Sequence, residues 1–136
     1  MMNRTKVLWI AVIVMAMITV SACAQQQQYN AESDFIAQPV NNGKGVEITG
    51  YTGSSLEVRI PPQIQKLPVT VIGEDAFREK NIVSVTIPNS VTSIGIYAFA
   101  GCWSLTSVTI GNGVTSIGES AFASTMEILK LYIITG

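Results

Sequence analysis

Val91-Thr92-Ser93-Ile94-Gly95 returns 23 residues later as Val114-Thr115-Ser116-Ile117-Gly118, and Ala98-Phe99-Ala100 returns as Ala121-Phe122-Ala123. A looser copy precedes them: Val69, Ile72, Gly73, Ala76 and Phe77 keep the same order, and Ile82, Val85 and Ile87 match Leu105, Val108 and Ile110. Three units therefore tile the chain, 69–90, 91–113 and 114–136. A fixed period in the twenties is the mark of a solenoid, in which each unit is too small to bury its own apolar face and does so by stacking on its neighbours.

Within a unit, Leu105-x-x-Val108-x-Ile110 puts Val108 and Ile110 on one face of a strand and Ser107 and Thr109 on the other, so the apolar face points into the coil. Pro88 or Gly111 stops that strand, Val91 or Val114 and Ile94 or Ile117 re-enter the core, and Gly95 or Gly118 is expected to turn the chain through positive φ. Phe77, Phe99 and Phe122 each follow an alanine. Stacked at equivalent positions they form an aromatic spine, each ring contributing roughly 1.5–3 kcal/mol when buried.

Before the repeats, Val46-Glu47-Ile48-Thr49-Gly50-Tyr51 and Leu56-Glu57-Val58-Arg59-Ile60 alternate apolar with polar around Gly53-Ser54-Ser55. This pattern predicts a hairpin, ended by Pro61-Pro62, that caps the open side of the first repeat, with Gln63 to Pro68 as a connecting loop. Residues 45–68 form this cap. Residues 23–44, with Gln25 to Gln28 and little apolar periodicity, read as a flexible tether.

The first 22 residues read as a secretion signal: Arg4 and Lys6, an uncharged run from Val7 to Val20, then Ser21 and Ala22 ahead of Cys23. The run of about 14 residues is short of the roughly 20 that a helix needs to cross the hydrocarbon core. Val20-Ser21-Ala22-Cys23 resembles the lipobox of bacterial lipoproteins, which implies a lipid on Cys23 and a membrane anchor. The other cleavage site is an ordinary one near Ala22 or Ala24, which leaves Cys23 without a role. Loss of the leader removes two of eight basic residues and none of the nine acidic ones, leaving a net charge near −3. That balance does not attract nucleic acid. With Cys23 lipidated, Cys102 has no internal disulfide partner.

Leu105-Thr106-Ser107-Val108-Thr109-Ile110, with Val91 to Gly95, Ala98-Phe99-Ala100-Gly101-Cys102 and Ile87-Pro88-Asn89-Ser90, resembles the BspA-like subclass of bacterial leucine-rich repeats. The stretch from Gly45 to Pro68 resembles the cap of spirochaete members. The resemblance implies an α/β, mostly β solenoid: a short arc of about three 23-residue repeats with an N-terminal β-hairpin cap. It also implies a protein of the cell envelope, lipid-anchored at the outer membrane or cell surface, or else secreted, with several members acting as adhesins or antigens. The last unit departs from the pattern at Ile128-Leu129-Lys130-Leu131-Tyr132-Ile133-Ile134, and family members are usually longer, so a truncated or frameshifted chain is the second reading.

Histidine is absent from the whole sequence, which removes the commonest general base and zinc ligand, so no enzyme, cofactor or metal is expected. Glu74-Asp75 reads as a solvated turn, Cys102 as a small core side chain, and Gly111-Asn112-Gly113 as a linker between strands rather than a phosphate cradle. Two surfaces remain as candidates for a protein partner, host or envelope. On the outward strand face Glu57, Ser84, Ser107 and Lys130 form one column, and Arg59, Thr86, Thr109 and Tyr132 the next. The second candidate is Ile96, Tyr97 and Trp103, which break the polar habit of their positions: exposed they are anchors, buried they are packing. The apolar C-terminal strand, guarded by Lys130 alone, is expected to self-associate. The function so implied is non-catalytic binding or adhesion; the alternative is a structural remnant of a longer repeat protein.

Overall fold

The computed structural model describes residues 29–125 and 130–133. The leader, Cys23 and the start of the tether lie outside the described residues, as do Ile128, Leu129 and Ile134. The strands are β1 (Phe35–Val40), β2 (Gly45–Tyr51), β3 (Glu57–Arg59), β4 (Gln63–Ile64), β5 (Leu67–Ile72), β6 (Ser84–Ile87), β7 (Ser93–Ile94), β8 (Ser107–Ile110), β9 (Ser116–Ile117) and β10 (Lys130–Ile133). They form two ladders. One runs β1-β2-β5-β7-β9, parallel from β2 onward; the other runs β3-β6-β8-β10 and is parallel throughout. The chain passes from one ladder to the other and back once per coil, so the molecule is a mostly-β solenoid of about three turns. The α component is nearly absent: among the described residues the one helical element is a 3-10 turn at Glu32–Asp34, and the segments after Gly73, Gly95 and Gly118 are successions of turns.

The spacing of apolar residues explains the core. Val58, Ile60, Val85, Ile87, Val108 and Ile110 point inward from the second ladder, and Val46, Ile48, Val69, Ile72, Val91 and Ile94 from the first; all are buried. Between the ladders runs the phenylalanine spine, with ring centroids 4.9 Å apart for Phe77 and Phe99 and 5.2 Å for Phe99 and Phe122, nearly parallel in both pairs. The spine is longer than the repeats. Tyr51 stacks on Phe77 at 5.4 Å and Phe35 lies 5.5 Å from Tyr51. A third set of backbone bonds joins the turns on this side, from Phe77 N to Ala98 O and from Phe99 N to Ala121 O, both 2.7 Å.

The expected cap hairpin is corrected. β2 and β3 do not pair; they sit in different ladders, with Val46 opposite Val69 and Ile48 opposite Ile72, and Glu57 opposite Ser84. Residues 45–68 therefore make a turn of the solenoid, because alternation alone fixes which face of a strand is buried and not which strand lies beside it. The cap lies one element earlier, where a tether was expected. β1 pairs antiparallel with β2 through a turn in which Asn41, Asn42 and Gly43 all have positive φ, and Phe35 is buried in the core. Asn30 closes the edge of the other ladder, donating its N–H to Arg59 O and accepting the Arg59 N–H on Oδ1, at 3.0 and 2.7 Å. Gln63 to Pro68 is likewise a tight hairpin, with Gln65 and Lys66 in the left-handed region, as the primed hairpin turns require.

Gly95 and Gly118 do not adopt positive φ. Their requirement is close approach: a Cβ on Gly95 would lie 2.6 Å from Glu74 N, and one on Gly118 2.5 Å from Ile96 N. Positive φ falls two residues later, at Asp75, Tyr97 and Ser120, and again at Glu79, Gly101 and Ser124.

Candidate protein-binding surface

The polar columns form as the strand pattern predicts. Glu57, Ser84, Ser107 and Lys130 are in register, as are Arg59, Thr86, Thr109 and Tyr132. Ser84, Thr86, Ser107 and Thr109 are half-buried by their neighbours, while Glu57 and Arg59 are exposed. The result is a flat strip of hydroxyls with a charged border on the Glu57–Arg59 side. Arg59 and Thr86 also line a depression of about 400 Å³ with Tyr29, Pro62 and Asn89.

Of the second candidate, on the turns that follow β7, Tyr97 and Trp103 are brought together and Ile96 is exposed beside Tyr97 in the chain. Ile96, Tyr97 and Trp103 are all exposed, Trp103 to 68%. Tyr97 and Trp103 share a shallow depression of about 210 Å³ whose other walls include Arg78, Glu79, Ala100 and Gly101. Apart from Arg78 and Glu79 the remaining lining is of small residues, Ala100, Gly101, Ala123 and Ser124.

Each exposed side chain has a local cause. Tyr97 occupies a left-handed position, φ 54°, where the coils on either side carry Asp75 and Ser120. Such a conformation costs a bulky residue about 1 kcal/mol more than glycine or asparagine. Trp103 is an insertion. The pairings of Glu79 with Gly101's turn and of Asn81 with Ser104, whose side chains bond at 2.8 Å, leave Cys102 and Trp103 in the space that Lys80 fills alone. Cys102 turns inward, fully buried, its Sγ donating to Phe77 O at 3.0 Å, and Trp103 is pushed out. The inequality of the 22-residue first repeat and the 23-residue second is the sequence signal for this bulge.

Around the apolar spot the charges are mostly acidic. Glu74 and Glu119 hold the positions equivalent to Ile96 in the adjacent coils, and both are exposed. The guanidinium carbon of Arg78 lies 5.6 Å from the centre of the Tyr97 ring, while its Nη1 is 3.1 Å from Asp75 Oδ1 and its Nε 3.8 Å from Glu79 Oε1. Burial pushes the Cys102 thiol up to about 11, which keeps it protonated and unreactive as a nucleophile at neutral pH. Among the described residues no cluster of His, Cys, Asp or Glu has the arrangement of a metal site.

Comparison with known proteins assigns this architecture to a family. Residues 69–135 match the BspA type Leucine rich repeat region (6 copies). These repeats are BspA-type leucine-rich repeats. No curated protein matches the chain. Among solved structures it is similar to the leucine-rich repeat protein of T. pallidum, with 32% identity and a TM-score of 0.69 over 71% of this chain and 45% of that one. It is also similar to a leucine rich cell surface protein of Faecalibacterium prausnitzii A2-165, with 30% identity and a TM-score of 0.62 over 76% and 31% of the two chains. A leucine-rich repeat protein of Bacteroides capillosus matches at 26% identity and a TM-score of 0.60, over 80% of this chain and all of that one. The chain thus spans less than half the length of the first two relatives. BspA-type repeats of this kind act typically as scaffolds rather than enzymes.

Proposed function

We propose that this BspA-type repeat protein is a non-catalytic, lipid-anchored protein of the cell surface that binds a protein partner through the Ile96–Tyr97–Trp103 patch. The observation that carries the reading is the joint exposure of these three side chains in one coil, with Trp103 at 68%. An exposed aromatic cluster inside a charged surround is the usual composition of an interface centre. The strip formed by Ser84, Thr86, Ser107 and Thr109, bordered by Arg59 and by the register positions of Lys130 and Tyr132, is the second contact surface in this reading. Support for the location comes from the relative described as a leucine rich cell surface protein and from the lipobox-like residues ahead of Cys23. Nothing in the charge balance favours nucleic acid.

Two experiments test it. Metabolic labelling with a fatty acid tags the wild type and not Cys23→Ser; a label retained by Cys23→Ser, or a wild type released unlabelled into the medium, removes the anchor from the proposal. In a pull-down from envelope and host extracellular fractions, the wild type retains a partner that Trp103→Ala loses. Equal capture by both moves the interface off the patch, and paired Thr86→Arg and Thr109→Arg variants then ask whether it lies on the hydroxyl strip.

A further inference from the structure

We infer that the partner presents a basic segment to this patch, an arginine or lysine side chain stacking on Trp103 with its charge held by Glu79 and by the exposed carboxylates of the flanking turns. The inference rests on the proposed use of the Ile96–Tyr97–Trp103 patch and adds the chemistry of what occupies it.

Charge complementarity supplies the first reason. Glu74, Asp75, Glu79 and Glu119 lie on the two coils that flank Ile96 and Tyr97, and each is exposed. Arg78 and Lys80 are the basic residues on these turns, and the Arg78 guanidinium already contacts both Asp75 and Glu79. Arg78 and Glu79 line the depression that Tyr97 and Trp103 share, and the surplus over the flanking turns is acidic, four carboxylates against Arg78 and Lys80. A cationic group arriving there meets attraction from several exposed carboxylates within a Debye length.

The rings supply the second. Arg78 over Tyr97 shows that this surface accommodates a guanidinium on an aromatic face. Indole is the better of the two platforms, and the Trp103 ring, 68% exposed, carries no such partner among the described residues. The backbone supplies the third. Around the depression Glu79 N bonds to Ala100 O, Ala100 N to Tyr97 O and Gly101 N to Ala123 O. With these groups already paired, an incoming segment is not taken up by strand addition and must be recognised through side chains.

The test uses the full chain carrying Trp9→Phe, so that Trp103 is the one indole left of the two. A capped hexa-arginine peptide is titrated in detergent solution while Trp103 emission is followed, with hexaglutamate beside it. The expected result is a saturable change with hexa-arginine, none with hexaglutamate, and at least tenfold weakening between low salt and 0.5 M salt. By calorimetry, Trp103→Ala should weaken binding at least tenfold, and Asp75→Asn with Glu79→Gln at least threefold. Because Trp103 is largely in solvent, its loss leaves the core intact, which unchanged urea midpoints verify. Hexa-arginine bound equally by wild type and Trp103→Ala would mean bulk attraction and overturn the inference, as would no binding at all. If a natural partner is captured by the wild type, lost by Trp103→Ala and not displaced by hexa-arginine, the patch stands as the interface and its basic ligand falls.

Discussion

At the scale of single residues, the chain gives neighbouring side chains opposite duties. Cys102 and Trp103 fill the space of one residue in the coil before them; one is buried with its thiol bonded to the Phe77 carbonyl and the other is displayed. The buried thiol has a consequence for stability. Its folded pKa of about 11 stands above the ordinary 9.0, chiefly because burial disfavours the thiolate. The folded state therefore holds the proton more tightly than the unfolded one, so stability is complete below pH 9 and declines as pH rises towards 11. The loss from this group reaches about 2–3 kcal/mol at the alkaline end. Tyr51, also raised by burial, adds to the decline in the same direction. Urea midpoints at pH 8 and pH 11 should fall further for the wild type than for Cys102→Ala, and equal falls would place the thiol in contact with solvent.

At the scale of elements, the spine couples the coils. Phe99 lies between Phe77 and Phe122 and is fully buried, so removing its ring leaves a cavity flanked by two aromatic faces. Phe99→Ala should cost about 3–5 kcal/mol, read as a lower urea midpoint. An unchanged midpoint would show that the coils hold together without it. The spine was legible in the sequence because Ala98-Phe99 and Ala121-Phe122 repeat, and so were the columns, since period-2 alternation within each repeat fixes which residues face outward. The cap was not. Residues 46–51 and 56–60 alternate as a hairpin would, and only the register with Val69 and Ser84 places them in separate ladders. The turn Asn41-Asn42-Gly43 was the available signal for β1, since Asn and Gly enter the left-handed region most easily. Gln65-Lys66 gave none, being residues that rarely enter it. Nor could periodicity decide the exposure of Ile96 and Tyr97, which depends on where the turn after Gly95 points.

At the scale of the whole molecule, the two ends differ. At the N-terminal side β1 covers the first ladder and Asn30 the second. At the other side, among the described residues, β9 and β10 each pair with a single strand, and Ile117 and Ile133 are 48% and 60% exposed, whereas Ile94 and Ile110, one coil earlier, are buried. For the 136-residue chain we expect self-association through this face, tail to tail, because it is here that equivalent core positions, Ile117 and Ile133, meet solvent. Sedimentation across concentration should show a dimer that Ile133→Lys abolishes. A wild type monomeric at high micromolar concentration would remove this expectation, and growth into filaments would show that the cap does not block pairing.

The position of the cap also sets a direction in time. Synthesis delivers 29–51 ahead of the repeats, so the β1–β2 hairpin is available as an edge before any repeat emerges. Each later strand then pairs with one that is already in place, roughly a single repeat back along the chain. Closing loops of that length is fast and needs no distant segment. The solenoid is thus suited to assembling like a zip from its leading end, with no stage at which a long unfolded tail must wait for its partner. Pulse-labelled hydrogen exchange during refolding should find β2 and β5 protected before β8; simultaneous protection of all coils would mean that the cap follows the repeats instead of starting them.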